Sequence, residues 1–194
     1  MARSTLRGSA AGRDRGILIT LFVIYLVLLT WIILWKLEIP YVGAAAGLPR
    51  PLKLIPFVPS GDANASAPDE VLANIAFFIP FGLYLGLLAP RRRWWQALGI
   101  FLAASLVLET TQHVISTGSF DTSDLLTNTA GGMAGFGLLA LLRRRLGSRT
   151  LTVMTRIMIA ATVLSFVAIG IFFSLHLHYG PRPDVVVPHP LRSH

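Results

Sequence analysis

Glu109, Gln112 and His113 are spaced i, i+3 and i+4, which puts all three on one face if the helix that carries them runs that far. A carboxylate beside an amide and an imidazole is equipped to act as acid, base or cation ligand. Asp121, Asp124 and Asn128 form a second group, with Asp124 and Asn128 one helical turn apart, and Asn74 supplies a further carboxamide from an earlier apolar run. A polar group in hydrocarbon is costly and usually faces a bundle interior or a wet cavity. Asn74, Glu109, Gln112, Asp121, Asp124 and Asn128 are therefore the candidate binding residues. No catalytic role is assigned to any residue.

Each candidate also has a plainer reading. Asp121 and Asp124 have the spacing of a helix N-terminal capping pair, whose carboxylates accept orphan N–H bonds and favour the dipole. Asn74, Gln112 and Asn128 are equally suited to interhelical hydrogen bonding, at roughly 0.6 to 2 kcal/mol each. An all-oxygen cluster suits magnesium or calcium, but no ligand-spacing motif singles out a metal, and neither metal nor cofactor is assigned. The chain has no cysteine, which excludes a disulfide framework, a thiolate metal site and a cysteine nucleophile. His176, His178, His189 and His194 read as an exposed tail, and Asn64, Ala65, Ser66 as a short match to a glycosylation acceptor.

The elements that must position these residues are membrane spans. Of 194 residues 54% are hydrophobic and only 13% charged, and the mean hydropathy of +0.65 lies outside the range of soluble domains. A hydrocarbon core of about 30 Å needs about 20 apolar helical residues. Five runs qualify: Ile17 to Trp35, Val71 to Ala89, Trp94 to Leu108, Leu125 to Leu142 and Ile157 to Leu175. The first spans fully and continues into Lys36 and Glu38, so a retained helix is expected rather than a signal peptide. The fold class expected is all-α integral membrane, with about five transmembrane helices.

Lys and Arg placement sets the orientation. Arg3, Arg7, Arg13 and Arg15 precede the first run, Arg91 to Arg93 separate the second and third, and Arg143 to Arg145, Arg149 and Arg156 precede the fifth. These segments are expected to be cytoplasmic, with the C-terminus extracytoplasmic. The net charge of +8 thus reads as topology signal, and no nucleic acid partner is expected. Asn74, Glu109, Gln112, Asp121, Asp124 and Asn128 then gather at the outer leaflet. Gly131 and Gly135 follow Asp124 at i+7 and i+11, so the polar stripe runs into a small-residue stripe that permits close helix approach. Pro80 frees the Ala76 carbonyl and predicts a kink that Asn74 or a water helps satisfy. The organisation expected is a basic tail (1–16), a four-helix unit (17–145) with a proline-rich outer loop (37–70), and a further span with an extracytoplasmic tail (146–194). In that loop Leu54 to Val58 are expected to lie on the membrane surface or to cap the bundle.

Certain runs carry a family resemblance. Leu54, Ile55, Pro56, Phe57 and then Asn74 to Gly82 (NIAFFIPFG) look like two signatures of the VanZ-like family. Glu109, Thr110, Thr111, Gln112, then Ser119 to Asp124 (SFDTSD), then Asn128, Gly131, Gly132 and Gly135 resemble its E-x-x-Q, S-F-D-x-x-D and N-x-x-G pattern. The resemblance covers roughly Ile17 to Arg145. Gly118 is a departure, since many members carry arginine there. The resemblance implies a multi-pass protein of the bacterial cytoplasmic membrane, from a family whose founding member is associated with low-level teicoplanin resistance. Its expected partners are the lipid bilayer and a lipid-linked cell-wall precursor or a glycopeptide.

Three functions are expected to compete: modulation of glycopeptide susceptibility through an outer-leaflet polar site, an embedded enzyme acting on an envelope lipid or wall precursor with Glu109 as base, and a scaffold binding a partner through Gly131 and Gly135.

Overall fold

The computed structural model describes residues 2–35, 52–58 and 67–176, with side chains described from Gly12 to Ser174 within those segments. The rest of the proline-rich loop, with Asn64 and most of its prolines, and the histidines beyond His176 lie outside the described residues.

Among the described residues, five α-helices make up the fold: α1 (Ala2–Trp35), α2 (Pro68–Leu88), α3 (Trp94–Val114), α4 (Thr122–Leu146) and α5 (Thr150–His176). A short 3-10 turn at Gly147–Arg149 joins the last two. Among the described residues there is no strand, only one isolated bridge between Lys53 and Asp121. Among the described residues, four helical stretches are long and apolar enough to cross a membrane: 12–35, 68–88, 94–114 and the continuous 122–174. Val23, Val27, Leu106, Val107, Val163 and Leu164 are exposed, as befits side chains that face lipid.

Helix ends differ from the apolar runs for local reasons. The first helix begins at Ala2, ahead of the apolar run, over a stretch that no proline interrupts. The second starts on Pro68 at its first position, with Asp69 and Glu70 in the first turn, and the Glu70 carboxylate accepts from the Ala67 N–H at 3.4 Å. The third runs on to Val114, so Glu109 and Gln112 do share a buried helical face. The fourth is capped by Asp121, whose Oδ1 accepts from the Ser123 N–H at 2.8 Å.

Lipid offers no hydrophobic drive between helices, so close packing must hold them. The tightest pairing is α2 on α4. A Cβ at Gly131 would collide with the Ile75 carbonyl, one at Gly135 with the Ile79 carbonyl, and one at Gly82 with the Gly132 carbonyl. The small-residue stripe is therefore filled from within the chain, and a scaffold that offers Gly131 and Gly135 to a partner loses its surface. Phe101 of α3 lies against Gly132, and the rings of Phe78, Phe81 and Phe101 form one core with Leu29 and Ala97. A second core of Leu18, Tyr84, Leu87, Leu139, Met154 and Met158 ties α5 to the bundle at the other end. The Tyr25 hydroxyl donates to the Phe77 carbonyl at 2.7 Å, beside the backbone that Pro80 interrupts.

Candidate functional site

One end of the bundle collects the C-terminal ends of α1 and α3 and the N-terminal ends of α2 and α4. A cavity of about 330 Å³ opens there, lined by Ile32 and Ile33 of α1, Asp69, Glu70, Ala73, Asn74 and Phe77 of α2, Glu109 and Gln112 of α3, and Asp124 and Asn128 of α4. Asp69 and Glu70 are exposed at its mouth, whereas Glu109 and Asn128 are each 1% exposed.

Five of the six candidates thus share one wall, each held by a neighbouring helix. The Asn74 Nδ2 donates to Asp124 Oδ1 at 2.8 Å and pins α2 to α4 above the glycine contact. The Gln112 Nε2 donates to the Ile33 carbonyl at 2.8 Å. That carbonyl belongs to the last described turn of α1. The Asn128 Nδ2 donates to Ser105 Oγ at 3.0 Å, one turn before Glu109 on α3. The Oδ1 of Asn128 is buried and has no hydrogen-bond partner.

Asp121 does not line the cavity; it positions the residues that do. Past Val114 the chain turns through Ser116 at φ 57°, and the Thr117 N–H donates to the Gln112 carbonyl at 3.1 Å. That turn folds the loop back over α3, so that the Asp121 N–H donates to Glu109 Oε2 at 3.2 Å. The Asp121 Oδ2 lies 3.2 Å from Lys53 Nζ. Burial pushes its carboxyl up, but hydrogen bonds from Ser123 and the Lys53 ammonium outweigh this and hold it below the usual carboxylate value. The capping reading of Asp121 is the one this geometry carries, while Asp124 turns away from capping to meet Asn74.

The segment 52–58 docks onto the same corner. The Lys53 N–H donates to the Phe120 carbonyl at 2.9 Å, the Thr122 N–H to the Lys53 carbonyl at 3.0 Å, and the Phe57 N–H to Ser123 Oγ at 2.9 Å. Leu54, Ile55, Phe57 and Val58 remain exposed. His113 shares the Glu109 turn but not the cavity. Among the described residues, no three of His, Asp and Glu are grouped to hold a metal ion.

Sequence reasoning missed Asp69 and Glu70, which it placed in the loop; the Pro-Asp-Glu start that marks a helix N-terminus was the available signal. It also missed Ser105, whose position one turn before Glu109 puts it on the same buried face.

The sequence profile of the VanZ/LLP1 family matches residues 22–143, well over half of the chain. The chain belongs to the VanZ/LLP1 family. It is also 30% identical over 152 residues to Protein VanZ of Enterococcus faecium, across 78% of this chain and 89% of that protein. No solved structure matches it. The VanZ/LLP1 span contains every cavity residue and all six candidates, and α5 lies beyond it. Membership and the four membrane-competent stretches make the chain a multi-pass membrane protein.

Proposed function

We propose that this VanZ/LLP1 protein sits in the bacterial cytoplasmic membrane with five spans, its N-terminus inside, and that the cavity opens at the outer leaflet as a binding site. Through that site it alters how the cell surface handles a glycopeptide such as teicoplanin or a lipid-linked wall precursor. The observation that carries the reading is the cavity itself. Asn74, Glu109, Gln112, Asp124 and Asn128 come from three helices to one wall, and Asp121 holds Glu109 from behind. Buried polar groups in a membrane protein are retained where they serve a pathway or a ligand.

The orientation is supported by charge. Arg91 to Arg93 and Arg143 to Arg145 lie at the bundle end opposite the cavity, where the positive-inside rule puts the cytoplasm. Arg143 also donates to the Gly86 carbonyl, anchoring that end. The polar side chains on the described wall are carboxylates and carboxamides, which suit binding, and the carboxylates would equally serve as general base in the competing enzyme reading.

The test is glycopeptide susceptibility of a deletion strain complemented with wild type, Glu109→Gln or Asp124→Asn, with membrane abundance checked by blot. The reading expects deletion to change susceptibility and both variants to fail to restore it at normal abundance. Full rescue by both variants would remove the site from the function.

A further inference from the structure

The chemistry of the cavity wall is one-sided. Among the described residues, the carboxyl groups of Asp69, Glu70, Glu109 and Asp124 line it together with the carboxamides of Asn74, Gln112 and Asn128, and no Lys, Arg or His does. Lys53, at the same end, lies against Asp121, outside the wall. A phosphate or carboxylate entering here would meet acidic side chains and, among the described residues, no basic one. The remaining surface is aliphatic or aromatic: Ile32, Ile33, Ala73 and Phe77.

Asn128 supplies an independent observation. Its side chain is 1% exposed, its Nδ2 is used by Ser105, and its Oδ1 has no partner. A buried carbonyl oxygen is rarely left orphaned, and on a cavity wall the missing donor is one a ligand can bring. Acceptor oxygens at the base and acidic groups at the mouth both call for a ligand that is positively charged and rich in N–H donors.

We propose that the cavity binds a protonated primary amine on a short aliphatic stem, a ligand class that rests on the outer-leaflet binding site proposed above. An ammonium has three donors, matching the carboxylates of Glu109 and Asp124 and the free Oδ1 of Asn128. Its stem packs on Ile32, Ile33, Ala73 and Phe77, while Asp69 and Glu70 draw the cation to the mouth. A divalent metal fits less well. Magnesium demands near-octahedral oxygen ligation, and among the described residues no three of His, Asp and Glu are grouped to supply it.

The probe is butylammonium, titrated against the full-length protein in phosphatidylcholine nanodiscs with thermal unfolding as the readout. A ligand that binds only the folded state raises Tm in a saturable way. Butylammonium is expected to raise Tm to a plateau, while butanol and magnesium chloride at matched concentrations do not. Glu109→Gln should abolish the rise, and the double variant Asp69→Asn, Glu70→Gln, at the exposed mouth, should shift the titration at least about tenfold to higher concentration, the equivalent of about 1.4 kcal/mol. If Glu109→Gln does not fold, the mouth variant decides alone.

Phosphatidylethanolamine nanodiscs separate two sources of the amine. A Tm already raised there, with no further response to butylammonium, identifies a lipid headgroup as the occupant. An unchanged response identifies a soluble or peptide-borne amine. The proposal is overturned if butylammonium stabilises no better than butanol, if magnesium stabilises more than butylammonium, or if the mouth variant titrates like wild type. Such a result beside a Glu109-dependent susceptibility phenotype would leave the binding site standing and remove only the amine.

Discussion

Replacing Gly135 by alanine inserts one methyl group where α4 meets the backbone of α2, at the Ile79 carbonyl. A carbonyl in a helix cannot swing aside as a side chain can, so the two helices must separate. Overpacking of this kind costs about 1 to 3 kcal/mol. Gly137, two residues further along α4, has nothing within 4 Å of its notional Cβ. There the same substitution removes only the helix penalty of glycine and stabilises by up to about 1 kcal/mol. Alanine's helix gain is common to both sites, so Gly135→Ala and Gly137→Ala are expected to differ by about 1 to 3 kcal/mol, with Gly137→Ala the more stable. Reversible unfolding in mixed micelles, titrated with a denaturing detergent, measures the difference. The wedge should also open the Asn74–Asp124 bond, so Gly135→Ala should lose the butylammonium response while Gly137→Ala keeps it. If Gly135→Ala is as stable as Gly137→Ala, the backbone contact between α2 and α4 is not a feature of the folded protein.

A double-mutant cycle on Asn74→Ala and Asp124→Ala should give a coupling of about 0.6 kcal/mol, and no more than about 1.7, in the same unfolding assay; zero coupling would mean that the pair does not meet. The depressed pKa of Asp121 fixes the sign of a pH effect. The folded form prefers the carboxylate, so docking of the 52–58 segment is fully supported above the ordinary carboxylate range and is lost as pH falls through the depressed value. Hydrogen exchange at the Lys53 and Thr122 amides should accelerate on acidification beyond its intrinsic pH dependence, and Asp121→Asn should remove that excess. Gly118 faces the Gln112 side chain, with Nε2 at 3.3 Å from a notional Cβ, so Gly118→Arg would bring a cation beside the cavity. It should weaken butylammonium binding at least about tenfold in the Tm titration, about 1.4 kcal/mol; an unaffected titration would place residue 118 out of electrostatic reach.

Much of this organisation was legible in the chain because its period and its charges speak for the same thing. The i, i+3 spacing of Glu109 and Gln112 and the i, i+4 spacing of Asp124 and Asn128 put both pairs on the cavity wall. The glycine stripe after Asp124 was readable as a packing face, but its partner was not. Gly82 and Gly86 carry the complementary spacing in α2, and spacing alone does not say which helix meets which. His113 shows the converse limit, since it lies one turn from Glu109 on α3 and yet does not line the cavity. Asp121 looked like a ligand and a cap with equal right. Only the turn at Ser116, which brings its N–H to Glu109, decides that it holds the site from outside. The orphan Oδ1 of Asn128 had no sequence signature, because it depends on Ser105 taking the other end of the amide.

The central claim is that the cavity opens outward and is where this VanZ/LLP1 protein acts. The absence of native cysteine allows it to be tested in living cells with single-cysteine variants, Asp69→Cys at the cavity mouth and Gln96→Cys at the opposite end. Each strain is treated with a bulky, membrane-impermeant maleimide, and killing by teicoplanin is then measured against the deletion strain. Labelled Asp69→Cys cells should become as susceptible as the deletion strain, while Gln96→Cys cells, treated alike, should behave as wild type. Complete labelling at residue 69 with unchanged killing, or labelling at residue 96 in place of residue 69, would contradict the account.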